Sequence, residues 1–169
     1  MRRSRNGGAA RTAPVKVFDV KTPFALALLA SIFLASPAHA DACDDLAAQL
    51  KGHIDGLSVG KTAANVIYLS HPAAKDLRLG CASRKVSNDL LATSEARKPK
   101  PEFVSLVAKA AAVIFTVPVD DTLKGVSRCI SRMGILRGDD IRMRFRRLDL
   151  HCTRTKTSAT ITVSRGKDQ

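Results

Sequence analysis

The chain contains no tryptophan and a single tyrosine, and aromatic residues make up only 4% of its 169 positions. A protein that holds nucleic acid by stacking needs exposed rings set among its cations. Past residue 40 the only aromatics are Tyr68, Phe103, Phe115 and Phe145. Phe145 falls in phase with apolar neighbours, so no stacking platform interleaves with the basic residues and no specific nucleic-acid partner is expected. Long apolar runs are missing as well. The stretch Phe24 to Ala35 covers 12 residues, short of the roughly 20 that span a bilayer as a helix. There is no Cys-x-x-Cys, which removes a thioredoxin-like redox pair and a zinc knuckle. No internal repeat or low-complexity tract appears.

What the N-terminal stretch does contain is ordered. Arg2, Arg3, Arg5, Arg11, Lys16 and Lys21 face one acid, Asp19, and the apolar run, a Ser36-Pro37 break and Ala38-His39-Ala40 follow. Basic, then apolar, then small-x-small is the layout of a secretory signal. The expectation is a cleavable signal peptide over residues 1–40 and one mature domain over 41–169, periplasmic or secreted, with no transmembrane segment after cleavage. The mature chain then carries 28 − 6 = 22 bases and 15 − 1 = 14 acids, lowering the net charge from +13 to +8. Sixteen of those bases against seven acids lie in residues 97–169, so the basic character belongs to the C-terminal half.

All four cysteines, Cys43, Cys81, Cys129 and Cys152, follow the junction. An even count in an exported chain reads as two disulfides. Three connectivities are open, and spacing alone does not choose among them; the local pairing Cys43–Cys81 with Cys129–Cys152 is the expectation adopted.

Local patterns give the elements. Asp41 to Leu50 reads as a short helix, Asn65 to Ser70 as a strand stopped by His71-Pro72, Leu77 to Ala82 as a second short strand, and Val86 to Ala96 as a helix. Lys98-Pro99-Lys100-Pro101 is a linker that opens a helix apolar nearly all round, the signature of a buried central element. After Pro118 a second helix is expected, capped by Asp120 or Asp121, with Leu123, Val126, Ile130 and Met133 on its inner face. Beyond Gly138-Asp139-Asp140 the period becomes two. Ile141, Met143 and Phe145 alternate with Arg142, Arg144 and Arg146, and the phase then flips to Leu148, Leu150 and Cys152, which suggests a β-bulge near Arg146-Arg147. Thr160 to Ser164 supplies a partner strand. Together these predict an α+β fold: a small disulfide-tied domain with three to four helices packed on a C-terminal antiparallel hairpin and one or two further short strands.

Catalytic motifs fail on context. Gly56-Leu57-Ser58-Val59-Gly60 matches a nucleophile elbow, but no buried strand precedes Ser58 and no upstream strands exist to place an oxyanion hole. Gly56 to Thr62 has three residues between its glycines where a phosphate loop needs four. His53, His71 and His151 lack ligand spacing on any one element, so no metal is expected, and nothing calls for a cofactor. The acid pairs Asp44-Asp45, Asp120-Asp121 and Asp139-Asp140 sit at element starts, as caps would. The remaining signal is the basic strand, with Arg142, Arg144 and Arg146 on one face and Arg147 and Arg154 nearby. Such a stripe suits an acidic protein or an anionic envelope component; it equally suits a solvated face that discourages edge pairing. The leading expectation is a non-enzymatic exported domain that binds an anionic partner through this strand. The alternatives are a protein inhibitor or immunity-type partner of an envelope enzyme, and a small exported hydrolase using Ser58.

Overall fold

Three helices and seven strands make up the computed structural model, which describes residues 38–83, 87–134 and 138–166. In chain order they are α1 (Ala38–His53), β1 (Ser58–Ala63), β2 (Val66–His71), β3 (Ala74–Gly80), β4 (Asp89–Ser94), α2 (Pro101–Phe115), α3 (Val119–Arg132), β5 (Asp140–Phe145), β6 (Leu148–Arg154) and β7 (Ala159–Arg165). The strands form one sheet in the order β1-β2-β3-β4-β7-β6-β5, with every pairing antiparallel. A four-strand meander and a three-strand meander are thus sewn together along β4 and β7. The helix-led domain on a terminal hairpin is overturned: the sheet is the frame, and the helices cover one side of it.

Strand alternation explains that cover, because successive side chains leave opposite faces. Two apolar rows cross the sheet through paired residues. One runs Ile67, Leu79, Leu90, Val163, Leu150, Met143; the next runs Leu69, Leu77, Ala92, Ile161, Cys152, Ile141. All but Met143 and Ile141, on the outermost strand, are buried. The central helix α2 lies on β4 and β7, with α3 on β5 and β6 and α1 beside α2 and β1. The nearly all-round apolar character of α2 is accounted for: Phe103, Leu106, Val107, Ala110 and Ala111 are buried on its several sides. It starts at Pro101, where a missing N–H costs no intrahelical bond. It ends at Thr116, which turns into the left-handed region (φ 55°) and donates its N–H to the Ala112 carbonyl.

Several local expectations change. Residues 89–94, read as helix, are strand β4: Leu90, Ala92 and Ser94 turn inward while Leu91 and Thr93 face the other way. A short apolar segment carries both patterns, and long-range pairing decides. The residues before it, 84–86, lie outside the described set. β1 occupies part of the expected glycine-rich turn, and all six of its residues are exposed; pairing with β2, not burial, makes it a strand. The phase flip after Phe145 is no bulge. Phe145 pairs with Leu148, so Arg146-Arg147 is a two-residue hairpin loop, with Arg146 at φ 56°. A loop of two shifts side-chain parity by one, as a bulge would. On α3 the N-cap is Pro118 without a side-chain bond, leaving Asp120 and Asp121 in the first turn, where the helix dipole favours acids. Leu123 is exposed, and Thr122, Gly125, Val126 and Cys129 form the inner face.

The two disulfides are those of the local pairing. Cys43–Cys81 ties α1 to the end of β3, and Cys129–Cys152 ties α3 to β6. No cysteine among the described residues is free. Among the described residues no helix is long and apolar enough to cross a membrane.

Candidate functional site: the open face of the sheet

Opposite the helices, the sheet presents a face on which no described element packs, and its rows are polar. Cross-strand pairing sets a central line of Tyr68, Arg78, Leu91, Thr162, His151 and Arg142 over six strands. On one side of it runs Asp76, Thr93, Thr160, Thr153, Asp140; on the other run Gly80, Asp89, Ser164, Asp149, Arg144. Apart from Asp89 and Leu91 on β4, the middle of the face is hydroxylic, with Thr93 and Thr160 sharing a hydrogen bond of 3.1 Å. The charges collect toward both ends.

The β5 end holds a shallow depression of about 510 Å³ bordered by Arg142, Arg144, Asp149, His151, Thr162 and Ser164. Arg144 Nε stands 3.9 Å from Asp149 Oδ1, and its guanidinium lies over Gly166, where a Cβ would come within 2.7 Å of Nη2. His151 Nε2 meets Asp140 Oδ1 at 2.9 Å. Arg142, cross-strand from His151, is exposed and has no ion pair among the described residues. At the other end two cations stand over the Tyr68 ring, Lys61 Nζ at 5.5 Å and Arg78 Cζ at 5.3 Å from its centre. Arg78 also pairs with Asp76 at 2.7 Å. The two cationic ends are four strands apart from β3 to β5, roughly 19 Å at the usual spacing.

The five expected arginines divide. Arg142 and Arg144 share the open face. Arg146 leaves it at the hairpin loop and reaches Asp121 of α3 at 3.2 Å, so the three-arginine stripe is a pair. Arg147 is exposed in the same loop, its carbonyl accepting from Gly166 N. Arg154 has the parity of Leu150 and Cys152 and belongs to the helix side, where its Nε is buried without a hydrogen-bond partner. Nearness in sequence had grouped residues that strand parity separates.

Burial raises the pKa of Asp89 above the ordinary carboxylate value, because its charged form is partly withdrawn from water. Its carboxylate occupies the space that a side chain on Gly80 would need. Sequence reasoning missed this acid, and it missed the Lys61–Tyr68–Arg78 group. The alternation through Val66–His71 carried a signal for Tyr68, whose phase opposes that of Ile67 and Leu69.

The other candidates take structural places. Ser58 is the exposed first residue of edge strand β1, and a strand rather than a helix follows it. His151 stands five strands away, roughly 24 Å, while Asp139 is held by Arg97 through two contacts of 3.0 and 3.1 Å. His71 is a staple: Nδ1 accepts the Ala73 N–H at 3.0 Å, so Nε2 carries the proton and donates to the Asp55 carbonyl at 3.1 Å. Among the described residues no three His, Cys, Asp or Glu side chains gather as a metal site would require. No protein-family model matches the chain, and no curated protein or solved structure matches it.

Proposed function

We propose that this is an exported, non-enzymatic binding domain whose open sheet face docks the surface of a protein, with an acidic group of the partner meeting Arg142 at the β5 end. The observation that carries the reading is a sheet that the described helices cover on one side only. Its uncovered face holds a mosaic of charges: Lys61, Arg78, Arg142 and Arg144 alternate with Asp76, Asp89, Asp140 and Asp149. A uniform polyanion meets four repelling carboxylates on such a surface. A folded partner can place its own charges in register with both signs, which gives specificity more than raw affinity. The two cationic ends also require a partner that reaches across about 19 Å, more than a small anion offers. Two disulfides suit an oxidising compartment, and the basic-apolar-small N-terminal layout supports export.

The inhibitor or immunity-type reading is one form of this proposal. It draws specific support from β5, whose outer backbone edge has no strand partner among the described residues and can accept an added strand. The test is photo-crosslinking from a residue analogue placed at Thr162, in the middle of the open face, in the source cells. One protein should be captured from position 162, and Arg142→Glu should abolish its capture. Labelling dominated by anionic lipid or glycan, or capture unchanged by Arg142→Glu, contradicts the reading.

A further inference from the structure

On the helix side of the sheet, away from the open face, the structure shows a second basic site of a different kind. A cavity of about 470 Å³ lies among the Arg97-Lys98 segment, α2, α3 and the end of β6. Val104, Ile130 and Met133 contribute an apolar lining, and Lys98, Arg154, Ser127 and Ser131 supply the polar groups. Arg97 is already committed, donating to both carboxylate oxygens of Asp139 and to the Thr155 carbonyl at 2.7 Å. Arg154 is not. It comes off β6 toward the helices, and its Nε is buried with no acceptor. Its guanidinium lines the cavity and has no ion pair among the described residues. Lys98, exposed on the same rim, has no ion pair among the described residues.

We infer that this cavity binds a small carboxylate with an apolar body, such as a medium-chain or branched fatty acid. The Arg154 guanidinium takes the carboxylate through its terminal Nη donors, Nε being sealed from water. Lys98 adds charge at the mouth, and the tail lies on Val104, Ile130 and Met133. The volume falls within the usual span of small-ligand sites. A lone inorganic anion leaves the apolar lining wet, and a neutral alcohol offers Arg154 one acceptor but neither charge nor a second oxygen; neither satisfies both halves of the site. The site shares no residue with the open face and stands or falls independently of the docking surface proposed there.

The test is calorimetric titration of the full chain with octanoate, acetate and 1-octanol. Octanoate should bind at least about tenfold more tightly than either comparison compound, the scale of a lost hydrogen bond to a charged group. Arg154→Met should lower octanoate affinity by about tenfold or more, and Arg154→Lys, which keeps the charge and loses the fork, should fall between. Because substitution at a half-buried arginine can also disturb folding, Ser127→Glu provides a second probe from the exposed rim of α3. It should repel octanoate and leave the unfolding temperature unchanged. Equal binding of octanol and octanoate, or octanoate binding unaffected by both Arg154→Met and Ser127→Glu, overturns the proposal.

Discussion

The two faces of the sheet are made from alternate residues of the same strands, yet they are held by different physics. The helix side is fixed by burial, through apolar rows that cross from β2 to β5 under α2 and α3. The open side is fixed only by the register those rows impose. No described element packs on its threonines, arginines and aspartates, and their placement follows from parity. One face is therefore intolerant of change and the other is free to specialise. The difference teaches where to look for function: among the residues that folding does not need.

The comparison can be broken most sharply at neighbouring positions on two adjoining strands, β6 and β7. Leu150→Ala removes a buried side chain from the helix side and should cost about 2–5 kcal/mol. Thr162→Ala, on the open face of the adjoining strand, should stay within about 0.5 kcal/mol, as surface changes usually do. Urea unfolding of both variants measures the contrast, and similar losses would dissolve the distinction between the faces. Next in size is the Cys129–Cys152 bridge, which pins α3 to the sheet across 23 residues of chain. Replacing both cysteines by alanine should remove about 3 kcal/mol through the greater freedom of the unfolded chain, read as a lower denaturation midpoint.

A smaller effect is expected at Gly125 of α3, where Phe145 comes within 3.0 Å of where a Cβ would stand and Leu150 within 3.4 Å. Alanine there would ordinarily favour the helix. Here overpacking should reverse the sign and cost about 1–3 kcal/mol, whereas Lys124→Ala beside it should be nearly neutral. On the exposed edge, Ala64 and Asn65 form the loop between β1 and β2 with φ of 50° and 62°. Asn-Gly is the pair that such a turn favours, so Ala64→Asn with Asn65→Gly should stabilise by about 0.5–1 kcal/mol, seen as a raised unfolding temperature.

Asp89 sharpens the comparison through pH. Its folded pKa is raised by burial, so the unfolded chain releases its proton first as pH rises. Asp89 therefore lowers stability as pH climbs from the ordinary carboxylate value near 4 through its folded value, and the deficit persists at neutrality. Asp89→Asn should make the protein more stable at neutral pH and flatten that decline. Unfolding measured between pH 3.5 and 7 reads both effects.

Much of the covered side was legible because burial writes a period into sequence. Phe103 through Ile114, the alternation at Ile141–Phe145 and the inward cysteines each announced themselves. What was hidden follows from pairing, which leaves no such mark. β1 has no apolar pattern because no residue of it is buried. β4 resembles a helix until Leu90 and Ala92 are seen joining rows formed by residues of β3 and β7. Parity across the two-residue loop at Arg146-Arg147 sent Arg142 and Arg144 to the open face and Arg154 to the helix side, so one apparent stripe became two sites. The open face itself was unreadable in advance, since it depends on strand order.

Whether that face binds because of where its charges lie, or because the whole chain is basic, is decided by one matched pair of charge reversals. Arg142→Glu lies on the open face; Lys124→Glu lies on exposed α3, on the helix side, and changes net charge equally. Capture of the partner crosslinked at Thr162 should disappear with Arg142→Glu and survive with Lys124→Glu, at equal expression and stability. Equal loss from both variants would show that net charge alone drives association, and would contradict the assignment of the open face as the docking surface.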